Sequence, residues 1–210
     1  DAEVFVKELS TGRRITFSYL NASRSYRPNP FERAKVGETY QLNVNWKGQV
    51  FQSEGLMLEP PIVDSVVWNY EEKRLFRDEG YFIKVYGKIP FLENNYYRIR
   101  VIENDTLYNQ PEDYLLFDDA FGLQVFEKGL ELGYAFKKND RIRLELYRLN
   151  KDVFDYLSQL VNLLFNDGGL FSPPPQNPKS NIKVVKGNSQ VLGFFMVSPV
   201  LSRTIVISSN

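Results

Sequence analysis

Asn95-Tyr96-Tyr97-Arg98-Ile99-Arg100 and Arg141-Ile142-Arg143-Leu144-Glu145-Leu146-Tyr147 decide the fold. In both, apolar residues alternate with charged ones: Tyr97 and Ile99 against Arg98 and Arg100, and Ile142, Leu144 and Leu146 against Arg141, Arg143 and Glu145. A period of two places one set on a buried face and the other in water, the signature of a half-buried strand. The acidic run Leu116-Phe117-Asp118-Asp119 lies between them. After residue 150 the period changes. Val153, Leu157, Leu160 and Leu164 fall at helical spacing, reinforced by Phe154 and Val161, while Asp155, Gln159, Asn162 and Asn166 take the opposite face. This predicts one amphipathic helix over 151–166, with Asn150 as N-cap, Asp152 in its first turn and Gly168-Gly169 ending it. It is expected to lie across a sheet face or to plug one end of a sandwich. Phe171-Ser172-Pro173-Pro174-Pro175, Ser180-Asn181-Ile182 and Leu192-Gly193-Phe194-Phe195 follow.

Outward from this core the pattern is all β. Tyr40, Leu42, Val44 and Trp46 alternate into Lys47-Gly48, and 50–53 continues beyond, a hairpin signature. Val4, Val6 and Leu9 precede the turn Ser10-Thr11-Gly12, with Ile15, Phe17 and Tyr19 after it. Residues 63–70, 80–88, 96–102, 124–127, 141–149 and 190–198 also read as strands. Glu59-Pro60-Pro61 is the expected domain junction, because consecutive prolines stiffen the chain and cannot donate ladder hydrogen bonds. The expected architecture is mainly β, with two antiparallel sandwiches. Residues 1–60 form a partial immunoglobulin-like one, and 61–210 a larger one carrying the helix.

Composition narrows the chemistry. The 210 residues hold 26 basic and 26 acidic side chains, no histidine and no cysteine. Ser-His-Asp and Cys-His nucleophilic sites, His- or Cys-ligated zinc and thiol redox chemistry are excluded. Zero net charge argues against a nucleic-acid partner. The carboxylate clusters Glu71-Glu72, Asp78-Glu79, Glu112-Asp113 and Asp118-Asp119 do not read as a catalytic pair, since neighbours on a strand face opposite ways. Asp118 and Asp119 with Asn104-Asp105 could offer oxygen ligands to calcium, though solvated turns and strand caps are the favoured reading. No catalytic residue, cofactor site or metal site is expected. Trp46 and Trp68 are the best candidates for ligand or partner contacts, by stacking on sugars, against the competing reading of core packing. The chain opens on Asp1 in mid-sheet alternation and is expected to be a processed or partial product.

Taken in order, these segments resemble the domain-of-unknown-function 4249 family of Bacteroidota. The residues that carry the resemblance are Ala2-x-Val4-x-Val6, Gly37-x-x-Tyr40-x-Leu42-x-Val44, Asn95-Tyr96-Tyr97-Arg98-Ile99, Phe117-Asp118-Asp119 and Asp140-Arg141-Ile142. Tyr156-Leu157, Phe171-Ser172-x-Pro174, Ser180-Asn181-Ile182 and Leu192-Gly193-Phe194-Phe195 complete the series. The resemblance implies a non-enzymatic, lipid-anchored outer-membrane protein, facing the cell surface or the periplasm. Its implied company is a TonB-dependent transporter or another outer-membrane β-barrel, and other lipoproteins. The resemblance implies a lipoprotein signal, an anchoring cysteine and a first β segment, and residue 1 is expected to lie downstream of them. Capture of a glycan or peptide for uptake is the alternative function.

Overall fold

The computed structural model describes residues 2–118, 126–166 and 174–208. The fold is mainly β and antiparallel. The chain divides into two compact units, each built from two pieces: Asp1–Glu59 with Asn150–Ser198, and Pro60–Leu149 with Pro199–Asn210.

The first unit is a six-stranded sheet. Its strands are β1 (Glu3–Glu8), β2 (Arg14–Leu20), β3 (Ser25–Arg27), β4 (Thr39–Trp46), β5 (Gln49–Leu56) and β13 (Lys183–Lys186), in the spatial order β13-β5-β4-β1-β2-β3. The β4–β5 hairpin closes through Lys47 (φ 48°) and Gly48 (φ 77°), the two left-handed positions of a type I′ turn. Val6, Ile15 and Tyr40 bury one face with Val197, and Phe17, Leu42, Met57 and Phe195 pack around them. Among the described residues this unit has one sheet, and the run through Phe195 and Val197 covers it.

That cover corrects two expectations. Residues 190–198 do not form a strand, although Phe195 and Val197 alternate inward; the strand is β14 (Val200–Val206). The segment Asn150–Ser198 belongs with residues 1–59, whereas the sequence placed it in a domain spanning 61–210. Long-range hydrogen bonds hold it there. β13 pairs with β5, the Ser53 hydroxyl donates to the Asn181 carbonyl at 3.0 Å, and the Asn181 side chain both donates to and accepts from the Phe195 backbone at 2.9 Å. Asn181→Ala leaves both Phe195 backbone groups without that partner. The variant is expected to lose about 1–2 kcal/mol, measured as a shifted denaturation midpoint of the first unit. An unshifted midpoint would show that the cover needs no such clamp.

A charge is buried in this unit. Glu8 is fully buried and binds the Arg13 guanidinium at 2.7 Å, the Thr11 hydroxyl at 2.8 Å and the Lys35 ammonium at 3.3 Å. The Arg13 hydrogen bond, with those of Thr11 and Lys35, brings its carboxyl down to about 2 against the burial that opposes it.

The helix α1 (Lys151–Leu164) follows the periodicity, and Val153 and Leu157 are its buried residues. Leu164, assigned to the same apolar face, is exposed. Asn150 stands at the N-cap position without a side-chain capping bond; its amide donates instead to the Leu56 carbonyl at 3.0 Å. Gly168-Gly169 and Phe171-Ser172-Pro173 lie outside the described residues.

The second unit pairs two sheets over one core. One contains β8 (Tyr96–Glu103), β9 (Thr106–Leu107), β10 (Leu115–Asp118), β12 (Arg141–Leu149) and β14, in the order β10-β8-β12-β14 with β9 beside β8. The other contains β6 (Ile62–Glu71), β7 (Gly80–Lys88) and β11 (Leu130–Glu131). Ile83 and Val85 from one sheet meet Tyr97, Ile99, Ile142, Leu144 and Leu146 from the other. Arg143 and Arg100 pair with Glu145 on the mixed-charge face that the alternation foresees. Of the strand expected over 124–127, Phe126 and Glu127 lie instead in a helical turn, and Gln124 and Val125 lie outside the described residues. Phe126 packs flat on the sheet at Gly87, where a Cβ would overlap both the Phe126 ring and the Ile62 carbonyl.

Candidate functional site

One concave feature of the first unit is a groove of about 590 Å³. Its walls are β5 (Gln52, Glu54), the exposed face of α1 (Asp155, Gln159) and the segment from Lys179 to Lys183. The sequence fixes these walls locally. Gln52 and Glu54 share a strand face, while Asp152, Asp155, Tyr156 and Gln159 share the polar side of the helix. The Gln159 side-chain Oε1 accepts the Lys179 N–H at 3.0 Å and ties the helix to the following segment. Lys151 holds Asp155 at 2.7 Å. The rings of Tyr156 and Phe194 meet at 4.7 Å between centroids, an aromatic pair beside amides and carboxylates. Such a surface can stack on and hydrogen-bond a small polar ligand.

A second surface lies on the opposite edge of the same sheet. Tyr19 and Tyr26 face each other across β2 and β3, with centroids at 5.1 Å. Phe31, 86% exposed, stands in the next loop with exposed Arg24, Arg27 and Arg33 nearby in sequence. That loop is tied down where Glu32 accepts from Arg13 at 2.8 Å. An apolar hollow of about 270 Å³ lies under it, with Phe17, Met57 and Phe195 in its walls.

The two tryptophans are not brought together, since Trp46 belongs to the first unit and Trp68 to the second. Trp46 is exposed at the end of β4, with the Lys47 ammonium 4.7 Å from its ring centroid. Trp68 is half-buried against the second core and donates its indole N–H to the Ser208 carbonyl at 3.1 Å. Neither lines the groove.

The calcium arrangement fails on register. Asp118 pairs with Tyr96 at the start of β8, whereas Asn104-Asp105 follow its end. Eight residues of strand separate them by roughly 26 Å. Asn104 instead binds Asp140 and the Arg141 N–H, and Asp105 pairs with Arg141. Asp119 lies outside the described residues. Among the described residues no three acidic side chains converge in a metal-ligating group. Glu103 and Asp140 shift in opposite directions. Burial raises the Glu103 carboxyl; burial opposes ionisation at Asp140 too, but hydrogen bonds from the Asn104 amide and the Lys137 N–H together outweigh it and lower Asp140. The Tyr108 hydroxyl caps Glu103 at 2.5 Å, so these groups close a turn.

Residues 1–204, through both units, match the family described as Domain of unknown function (DUF4249). The chain belongs to the DUF4249 family. No curated protein and no solved structure matches it. The match runs through the groove and the tyrosine edge alike, so both surfaces lie within the DUF4249 region. No helix of this DUF4249 protein, among the described residues, is long and apolar enough to cross a membrane.

Proposed function

We propose that this chain is a non-enzymatic, lipid-anchored subunit of the outer membrane. It serves a TonB-dependent transporter or another outer-membrane β-barrel complex, with other lipoproteins as further partners. It acts through protein–protein contacts. The supporting observation is the edge of the first unit, where Tyr19, Tyr26 and Phe31 stand exposed or half-exposed among three arginines. Tyrosine, phenylalanine and arginine are enriched at protein interfaces: the rings cover a large area with few rotamers to freeze, and arginine adds a planar fork of hydrogen-bond donors.

Gentle detergent extraction of native membranes is expected to recover a β-barrel protein with the chain. Tyr19→Ala with Phe31→Ala is expected to weaken that recovery by roughly thirtyfold, the scale of a lost anchor. A chain that stays monomeric in such extracts overturns the proposal.

The groove favours a second reading, capture of a glycan or peptide for uptake. The Tyr156–Phe194 ring pair beside Gln52, Glu54 and Gln159 supports it. Tyr156→Ala is expected to abolish binding to any oligosaccharide that an array detects. A blank array removes this reading.

A further inference from the structure

The hairpin that β6 and β7 form ends in an unusual turn. Beyond the strand ends, the Arg74 N–H donates to the Arg77 carbonyl at 2.9 Å and the Arg77 N–H returns to the Arg74 carbonyl at 3.2 Å. Leu75 and Phe76 are therefore the two turn residues, and they are 88% and 95% exposed. Tight hairpin turns favour Gly, Asn or Asp, whose backbones suit them. Two large apolar side chains at this position gain nothing from folding.

The apex is presented stiffly. The Arg77 guanidinium stacks on the Phe82 ring at 3.6 Å and pairs with Glu131 at 2.6 Å and Glu71 at 3.5 Å. Charges follow the apex in layers. Arg74 and Arg77 flank it directly. Lys73 and Asp78 face each other one step back at 3.8 Å, and Glu71, Glu72 and Glu79 come behind. Arg74 is mostly exposed and only loosely paired, 3.8 Å from Glu71.

We propose that Leu75 and Phe76 insert into the acyl boundary of a phospholipid bilayer while Arg74, with Lys73 behind it, meets the phosphates. A bilayer offers apolar depth and then an anionic layer, in the order of the hairpin, and demands no shaped pocket. The area points the same way. Two side chains bury on the order of 300–400 Å², short of the roughly 600–1,000 Å² that each partner gives to a specific protein interface. A contact this small is weak and reversible alone, and works beside a second attachment. It is independent of the partner docking proposed above, because vesicles without any barrel protein test it.

The probe is the full 210-residue chain with vesicles of phosphatidylethanolamine and a minority of phosphatidylglycerol, at low salt. Co-sedimentation is expected, falling roughly tenfold or more when Leu75→Ser and Phe76→Ser are combined. The melting midpoint should be unchanged, since neither side chain packs on the fold. Phe76→Trp, with Trp46→Phe and Trp68→Phe, is expected to shift its emission to the blue on binding and to be quenched by brominated acyl chains. Arg74→Glu should weaken binding to these vesicles more than to phosphatidylcholine. No partition into any vesicle, full binding by the double variant, or an indole at 76 that stays water-exposed each overturns the proposal. Tip-dependent capture of a purified protein with no vesicle binding does so too.

Discussion

Phe136→Ala is expected to cost the second unit roughly 3–5 kcal/mol. Phe136 is fully buried, and its backbone exchanges hydrogen bonds with Tyr81 at 2.8 and 3.0 Å. Around its ring stand Tyr108 and Tyr134, with centroids at 6.5 and 6.1 Å. The cost of a cavity depends on how far its walls collapse, and these walls are pinned. The Tyr108 hydroxyl is held by Glu103 at 2.5 Å, and that of Tyr134 by Asp113 at 3.0 Å. The loss should therefore lie near the upper end, against a total stability of about 5–15 kcal/mol for a domain. The chain provides its own reporters, since each unit holds one of the two tryptophans. In a Trp46→Phe background, Trp68 fluorescence follows the second unit through guanidinium unfolding. A shift below about 1 kcal/mol would mean that Phe136 is no part of the core.

The second large effect is acid sensitivity of the first unit. The Glu8 carboxyl titrates near 2 when folded, below its ordinary 4.5, chiefly because Arg13 donates to it. A depressed carboxyl favours the folded state once it is ionised in both states. That stabilisation is complete above about 4.5 and drains away as pH falls toward 2. Glu8→Gln removes the charge, leaves Arg13 and Lys35 facing an amide, and should lower stability at neutral pH. It should also flatten the fall between those two values. Urea titrations across pH, read by Trp46 in a Trp68→Phe background, test both statements. Parallel profiles for the variant and the parent would refute the assignment of the acid response to Glu8.

What the sequence reveals of this fold follows from how local each signal is. The β4–β5 hairpin is legible because Lys47-Gly48 and the flanking alternation act within a dozen residues. The helix is legible for the same reason, since Val153 and Leu157 mark its buried stripe. Residues 190–198 mislead because Phe195 and Val197 bury like strand residues, yet the Phe195 backbone is held by the Asn181 amide rather than by a ladder. Periodicity reports burial and is silent on which partner satisfies the backbone. Nothing near β13 announces that Lys183–Lys186 will pair with a strand about 130 residues upstream. The calcium alternative, not the favoured reading, closes on the same ground, because only register reveals that Asp118 and Asn104 lie at opposite ends of β8.

The candidate surfaces were less legible still. Trp46 and Trp68 were the conspicuous residues, but neither lines the groove. The Leu75-Phe76 turn was overlooked beside the acidic doublets that flank it, although its signal was present: a tight turn between two strands with no turn-forming residue in it. The edge with Tyr19, Tyr26 and Phe31 needed the β2–β3 pairing before its rings could be placed opposite each other.

The two-piece construction of each unit has a consequence for biogenesis. As the polypeptide emerges from the ribosome, residues 1–59 lack the edge strand and the cover of their sheet until β13 and the stretch ending at Ser198 have been made. The second unit waits longer, for β14. Neither can mature before its returning segment has been made, so both must be kept from misassociating until then, and no single cut in the gene would release either unit whole.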